Sequence, residues 1–148
     1  MYAHILLCYD GSRDGRRALL EGARLAQICS AQVTLLAVVD SSHGLAIGEA
    51  AATGTIEHQR SDLERILAEG EQRLTAMGLS PAAQIEMGDP VEIIAAAAEG
   101  MNADLVVVGH HHYSRFARWL TRSVANELAD RLDCSLLLAH GRQVTTEE

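Results

Sequence analysis

Two short segments hold most of the side chains that could do chemistry in this chain, and each follows a run of aliphatic residues. The first is Cys8-Tyr9-Asp10-Gly11-Ser12. An aspartate at a strand end accepts hydrogen bonds, either from a ribose hydroxyl or from backbone N–H groups. Asp-Gly-Ser is also the composition of a turn followed by a helix N-cap, which these residue types alone favour. The second segment runs from Gly109 to Ser123. From His110 onward it carries Arg115, Arg118, Arg122 and three consecutive histidines, with no Asp or Glu. The rest of the chain holds nine arginines against all 20 acids, a formal −11. Tyr113, Phe116 and Trp119, three of the five aromatic residues, fall in the same stretch. A basic loop ahead of a helix N-terminus suits an anion. The same residues equally suit one helical turn with Phe116, Trp119 and Leu120 inward and the arginines in solvent.

Other chemistries find less support. At the end of a strand, neighbouring side chains point to opposite sides. His110 and His112 converge on that reading, His111 diverges, and no nearby carboxylate or cysteine completes a metal set. Ser12, Ser114 and Ser123 lack a base partner, and there is no nucleophile-elbow pattern. Neither a catalytic residue nor a metal site is expected, and the chain is read as a non-enzyme. It contains no lysine, which excludes a Schiff-base lysine and a lysine-dependent phosphate loop.

Positioning these segments requires a sheet. Ile5–Tyr9, Val33–Val39, Ala83–Met87, Leu105–Gly109 and Ser135–Ala139 read as buried strands, and Leu-Val-Val-Val-Gly is the near-continuous aliphatic run of a strand covered on both faces. Helical periodicity separates them. From about Arg13 to Cys29 it places Ala18, Gly22, Leu25, Ala26 and Cys29 on one face. Leu63, Ile66, Leu67, Gly70, Leu74 and Met77 form a second stripe, which Gly78 stops. Asp89, Pro90 and Glu92 mark a third helix start, with Ile94, Ala97, Ala98 and Met101 inward. Val124, Leu128 and Leu132 share a face of a fourth. Ser41–Thr55 has no clear period and reads as a mobile connection, partly helical at most. Strand-helix alternation implies a doubly wound α/β sheet with right-handed crossovers, whose ligands bind where the strand order reverses.

At 148 residues the chain makes one domain, with residues 1–141 folded and 142–148 a short polar tail. Apolar residues form 48% of it and aromatics 3%, so the core is aliphatic and alanine-rich. A formal charge of −8 argues against a nucleic-acid partner and against an anionic membrane surface. Cys8, Cys29 and Cys134 are odd in number and far apart, and read as small buried residues in a reducing compartment. The opening Met-Tyr-Ala-His-Ile-Leu-Leu lacks a charged n-region, and no apolar run reaches spanning length. A cytoplasmic location is the expectation.

His4-Ile5-Leu6-Leu7 leading to Asp10-Gly11-Ser12, then Val38-Val39-Asp40, Gly88-Asp89-Pro90 and Asp104-Leu105-Val106-Val107-Val108-Gly109, follow one another in an order and spacing that resembles the universal stress protein family along nearly the whole chain. The resemblance implies a five-stranded parallel sheet of order 3-2-1-4-5 with helices on both faces. It also implies a homodimer built along the last strand, in a cytoplasmic protein that accumulates under stress or growth arrest. Nucleotide-binding members carry Gly, two residues, Gly, nine residues, Gly, then Ser or Thr. That frame falls here on Gly109, His112, Arg122 and Ser123. The spacing and the first glycine are kept, but His and Arg replace two glycines whose bare N–H groups would cradle phosphate. The candidate nucleotide or anion site is therefore Asp10, Val38, Gly109, His112, Arg122, Ser123 and Val124. Gly109-His110-His111 is similar to the branch typified by universal stress protein A, taken not to bind ATP. The expectation is a dimeric stress-response factor with no cofactor and no tight ATP site, acting on protein partners the sequence does not identify. The alternative is an ATP-binding switch or slow ATPase, in which His112 and Arg122 supply charge-assisted hydrogen bonds worth about 1.5–3 kcal/mol each.

Overall fold

Strands without a polar face must be covered on both sides, and the computed structural model, which describes residues 1–40, 49–109 and 122–140, shows how. The elements alternate as β1 (His4–Cys8), α1 (Arg13–Cys29), β2 (Gln32–Asp40), α2 (Glu49–Ala76), β3 (Ala82–Gly88), α3 (Pro90–Gly100), β4 (Leu105–Gly109), α4 (Arg122–Arg131) and β5 (Ser135–Ala139). All strand pairs are parallel, and the order is β3-β2-β1-β4-β5. The order reverses between β1 and β4, which places the expected crevice at their carboxyl ends.

The two-residue period of each strand divides the core. Ile5, Leu7, Leu35 and Val107 pack with Ala18, Ala23 and Ala26 of α1 and with Leu63, Leu67 and Leu74 of α2. Leu6, Cys8, Leu36, Val38, Val106 and Val108 pack with Ile94 and Ala98 of α3 and Leu128 of α4. Alanines and glycines on the inner helix faces let the helices approach the sheet closely, as an aromatic-poor core requires.

Local signals end the elements where the side chains dictate. Ser12 caps α1, and Ser30 closes it in the left-handed region at φ 54°. Asp89 caps α3 by accepting from the Glu92 N–H at 3.1 Å, with Pro90 in the first turn. Asp104 stitches the start of the sheet together. Its carboxylate accepts from the Ala3 and His4 N–H groups at 2.8 and 3.1 Å. Its own N–H donates to His4, and its carbonyl accepts from Ser135.

Two expectations need correction. Strand β3, read as buried, is an edge strand with most of its residues exposed, whereas the stretch read as a partly helical connection is helical from Glu49, its residues 41–48 lying outside the described residues. Cys29 and Cys134 are half-buried; only Cys8 is a core residue. Among the described residues, no helix is long and apolar enough to cross a membrane.

Candidate nucleotide or anion site

The site begins with how β1 hands over to α1. The ladder continues one residue past β1, with the Tyr9 N–H donating to the Leu36 carbonyl at 2.9 Å. The chain then turns through Gly11, whose φ of +75° lies in the left-handed region. Asp10 is 4% exposed. Its Oδ1 accepts from the Ser12 N–H at 2.9 Å and from the Ser12 hydroxyl at 2.5 Å. The Ser12 Oγ in turn accepts from the Gly15 N–H at 2.9 Å, and its carbonyl accepts from Arg16. Asp10 thus braces the cap of α1. A carboxylate at that end also offsets the partial positive charge of the helix N-terminus, so the first turn of α1 offers little to a phosphate.

Gly109 closes the other side. A Cβ built there would lie 2.5 Å from the carbonyl carbon of Asp14 and 2.6 Å from the Gly15 nitrogen. The end of β4 therefore rests directly on the backbone of the first turn of α1. This packing accounts for the glycine without reference to a ligand. Val38 is 2% exposed, with its side chain in the core on the α3 side.

The structure brings Asp10 and Gly109 together through the first turn of α1, at the point where the strand order reverses. Arg122, Ser123 and Val124 form the first turn of α4. Their side chains, like the whole of His112 and the rest of the basic loop, lie outside the described residues. Among the described residues, no three His, Cys, Asp or Glu side chains come together as a metal set.

Burial tunes two neighbours of Asp10. It pushes the Cys8 thiol far above its ordinary range, and the charge of Asp10 adds to the effect. The Tyr9 phenol is raised chiefly by burial, with Arg16 acting against the rise. Sequence reasoning passed over Tyr9. The signal was available: a hydroxyl-bearing side chain continues the inward series of Ile5 and Leu7.

A family model described as the universal stress protein family matches residues 1–140. The stress response protein NhaX of Bacillus subtilis (strain 168) is 24% identical over 158 residues, covering 90% of this chain and 95% of that protein. Among solved structures, the hypothetical protein MJ0577 superposes with a TM-score of 0.80 at 21% identity, covering 97% of this chain and 99% of its own. A universal stress protein solved in complex with cAMP superposes at 0.69 with 23% identity, covering 95% of this chain and 98% of its own.

Proposed function

Because this chain belongs to the universal stress protein family, we propose that it works as a dimeric stress-response factor that acts through protein contacts and holds no tightly bound ATP. The observation that carries the reading is the contact between Gly109 and the backbone of Asp14 and Gly15. The glycine that looks like the start of a phosphate loop is required by packing. Asp10 likewise has a structural duty at the cap of α1. What remains of the nucleotide frame is Ser123 and a spacing, with His112 and Arg122 where bare backbone is needed.

Calorimetric titration of magnesium-ATP into the wild-type protein and into Arg122→Gly tests this. The expected result is no binding heat from the wild-type protein and no thermal shift at millimolar ATP. A Kd near micromolar, about −8 kcal/mol, overturns the reading.

A second reading, a nucleotide-binding switch, draws support from the similar fold solved with cAMP and from the position of Asp10 at the switch point. It uses Asp10, Val38, Gly109 and Ser123, with His112 and Arg122 donating to phosphate. On this reading Arg122→Ala weakens binding of ATP or cAMP. If Arg122→Gly strengthens it instead, Arg122 is an obstruction and the first reading gains.

A further inference from the structure

Tyr9 is 1% exposed and lies on the sheet face covered by α1 and α2. Its ring occupies space that α2 leaves open. A Cβ at Gly70 would come within 2.7 Å of a Tyr9 ring carbon. Glycine inside a helix is unfavourable by about 1 kcal/mol relative to alanine, and here it admits the ring. A phenylalanine would fill the same space. Packing explains the ring but leaves the hydroxyl unexplained.

Among the described residues, the proton of the buried Tyr9 hydroxyl finds no acceptor, and its oxygen has at most a donor, Arg16, beside it. The charged groups acting on it are Arg16 of α1 and Glu69 and Arg73 of α2. An arginine only donates, so the approach of Arg16 gives the phenolic proton no acceptor. Glu69 is the nearby carboxylate, and it is engaged elsewhere. Its Oε1 accepts from Arg73 Nε at 3.1 Å and meets a terminal nitrogen of Arg73 at 3.0 Å and of Arg16 at 3.5 Å. Two guanidinium groups therefore share one carboxylate. The local excess is positive in a chain of formal charge −8. Both arginine side chains are about half exposed, at 51% and 52%, so their donors remain within reach of solvent.

We infer that the Tyr9 hydroxyl, Arg16 and Arg73 form a receptor for a small oxyanion, a phosphate or a carboxylate, between α1 and α2. One anionic oxygen accepts from the phenolic O–H while the anion bridges the two guanidinium groups. Arg16 and Glu69 shift aside to admit it, a small movement for half-exposed side chains. The receptor lies on the face of the sheet opposite α3 and α4, and its Arg16 follows directly on the Asp14–Gly15 backbone that Gly109 meets. A buried donor without an acceptor weakens the ligand-free protein, as expected of a group kept for binding.

The test titrates inorganic phosphate, and separately acetate, into the full chain at ionic strength held constant with sodium chloride. Binding is followed through the Nε–H resonances of Arg16 and Arg73. Saturable shifts are expected, weakened about tenfold in Tyr9→Phe, as loss of one hydrogen bond to a charged group implies. They should be lost when both arginines are replaced by alanine. Tighter binding of acetate than phosphate assigns the receptor to carboxylates, and the reverse assigns it to phosphates. Without anion, Tyr9→Phe should melt at or above the wild-type temperature. No saturable shift with either anion overturns the inference, as does an affinity unchanged in Tyr9→Phe. A Tyr9→Phe protein melting more than about 3 °C below wild type, roughly 1 kcal/mol for a chain of this size, shows a hydroxyl satisfied internally and overturns it too.

Discussion

Gly109 is the first glycine of the phosphate-loop frame, yet the neighbour that forbids a side chain there is the backbone of α1, since a methyl group at this position would lie 2.5 Å from the Asp14 carbonyl carbon. Backbone cannot rotate away as a side-chain end can, so Gly109→Ala forces β4 and α1 apart. The expected cost is about 1–3 kcal/mol, in the range of overpacked cores. Urea denaturation checks this, and the loss should be the same with and without magnesium-ATP. A variant of unchanged stability would return the glycine to a ligand role. Cys8 offers a second test at this scale. It is 4% exposed and burial holds its thiol well above the ordinary range, so the reactive thiolate is scarce in the folded state. Under native conditions a thiol reagent should label Cys29 and Cys134, both half-buried, well before Cys8. Labelling of Cys8 should follow global unfolding, which mass spectrometry of urea-pulsed samples can read.

At the scale of elements, Asp104 ties β4 to the start of β1 and so fixes the order of the central strands. The Ala3 N–H chiefly holds its carboxyl below the usual 3.8, against an opposing effect of burial and with the His4 N–H adding to the lowering. A carboxylate lowered in the folded state contributes stability above its unfolded pKa and loses it as pH falls through the folded value. The gap in melting temperature between wild type and Asp104→Ala should therefore be constant from neutral pH down to about 4 and narrow below 3.8. A gap that persisted at lower pH would mean the contact does not depend on charge. How far the elements were legible follows from the same physics. The central strands β1, β2 and β4 could be read because burial on both faces leaves little room for polar residues, and α3 because Asp89-Pro90 fixes its first turn. The start of α2 could not. Residues before His58 have no apolar stripe, and the helix continues past its packed half, where Leu63, Leu67 and Leu74 are buried. Exposed pairs such as Arg60–Glu64 add only a few tenths of a kcal/mol each. The site was legible to the extent that it is local. Asp10-Gly11-Ser12 announced a cap in sequence, whereas the contact of Gly109 with α1 joins positions almost a hundred residues apart, which no motif spells out. The pairing of Tyr9 with Gly70 is hidden for the same reason.

For the molecule as a whole, the open question in a five-stranded parallel sheet is what becomes of its two edges, each a row of unpaired backbone groups. The β3 edge is blunted: Gln84, Glu86 and Met87 are exposed, and a charge on an edge discourages pairing. The β5 edge carries Leu136, Leu137 and Leu138 in succession, all half-buried. The proposed homodimer is accordingly expected along β5, whose own residues Ser135–Ala139 are mostly apolar and carry no charge. Each copy carries a formal −8. Bringing two such copies together works against like-charge repulsion over the whole surface, which salt screens within a Debye length of about 10 Å at 0.1 M. The dimer should accordingly tighten with salt, opposite to an association driven by complementary charge. Sedimentation equilibrium should give a mass of twice 15.9 kDa, with a dissociation constant falling between 20 mM and 0.5 M sodium chloride. Leu137→Lys, which sets a charge on the edge, should shift the population to monomer while Glu86→Lys on β3 leaves it dimeric. If Glu86→Lys dissociated the dimer and Leu137→Lys did not, the pairing edge would be β3. A dimer that weakened with salt would mean that local charge pairs, and not the leucine edge, hold the two copies together.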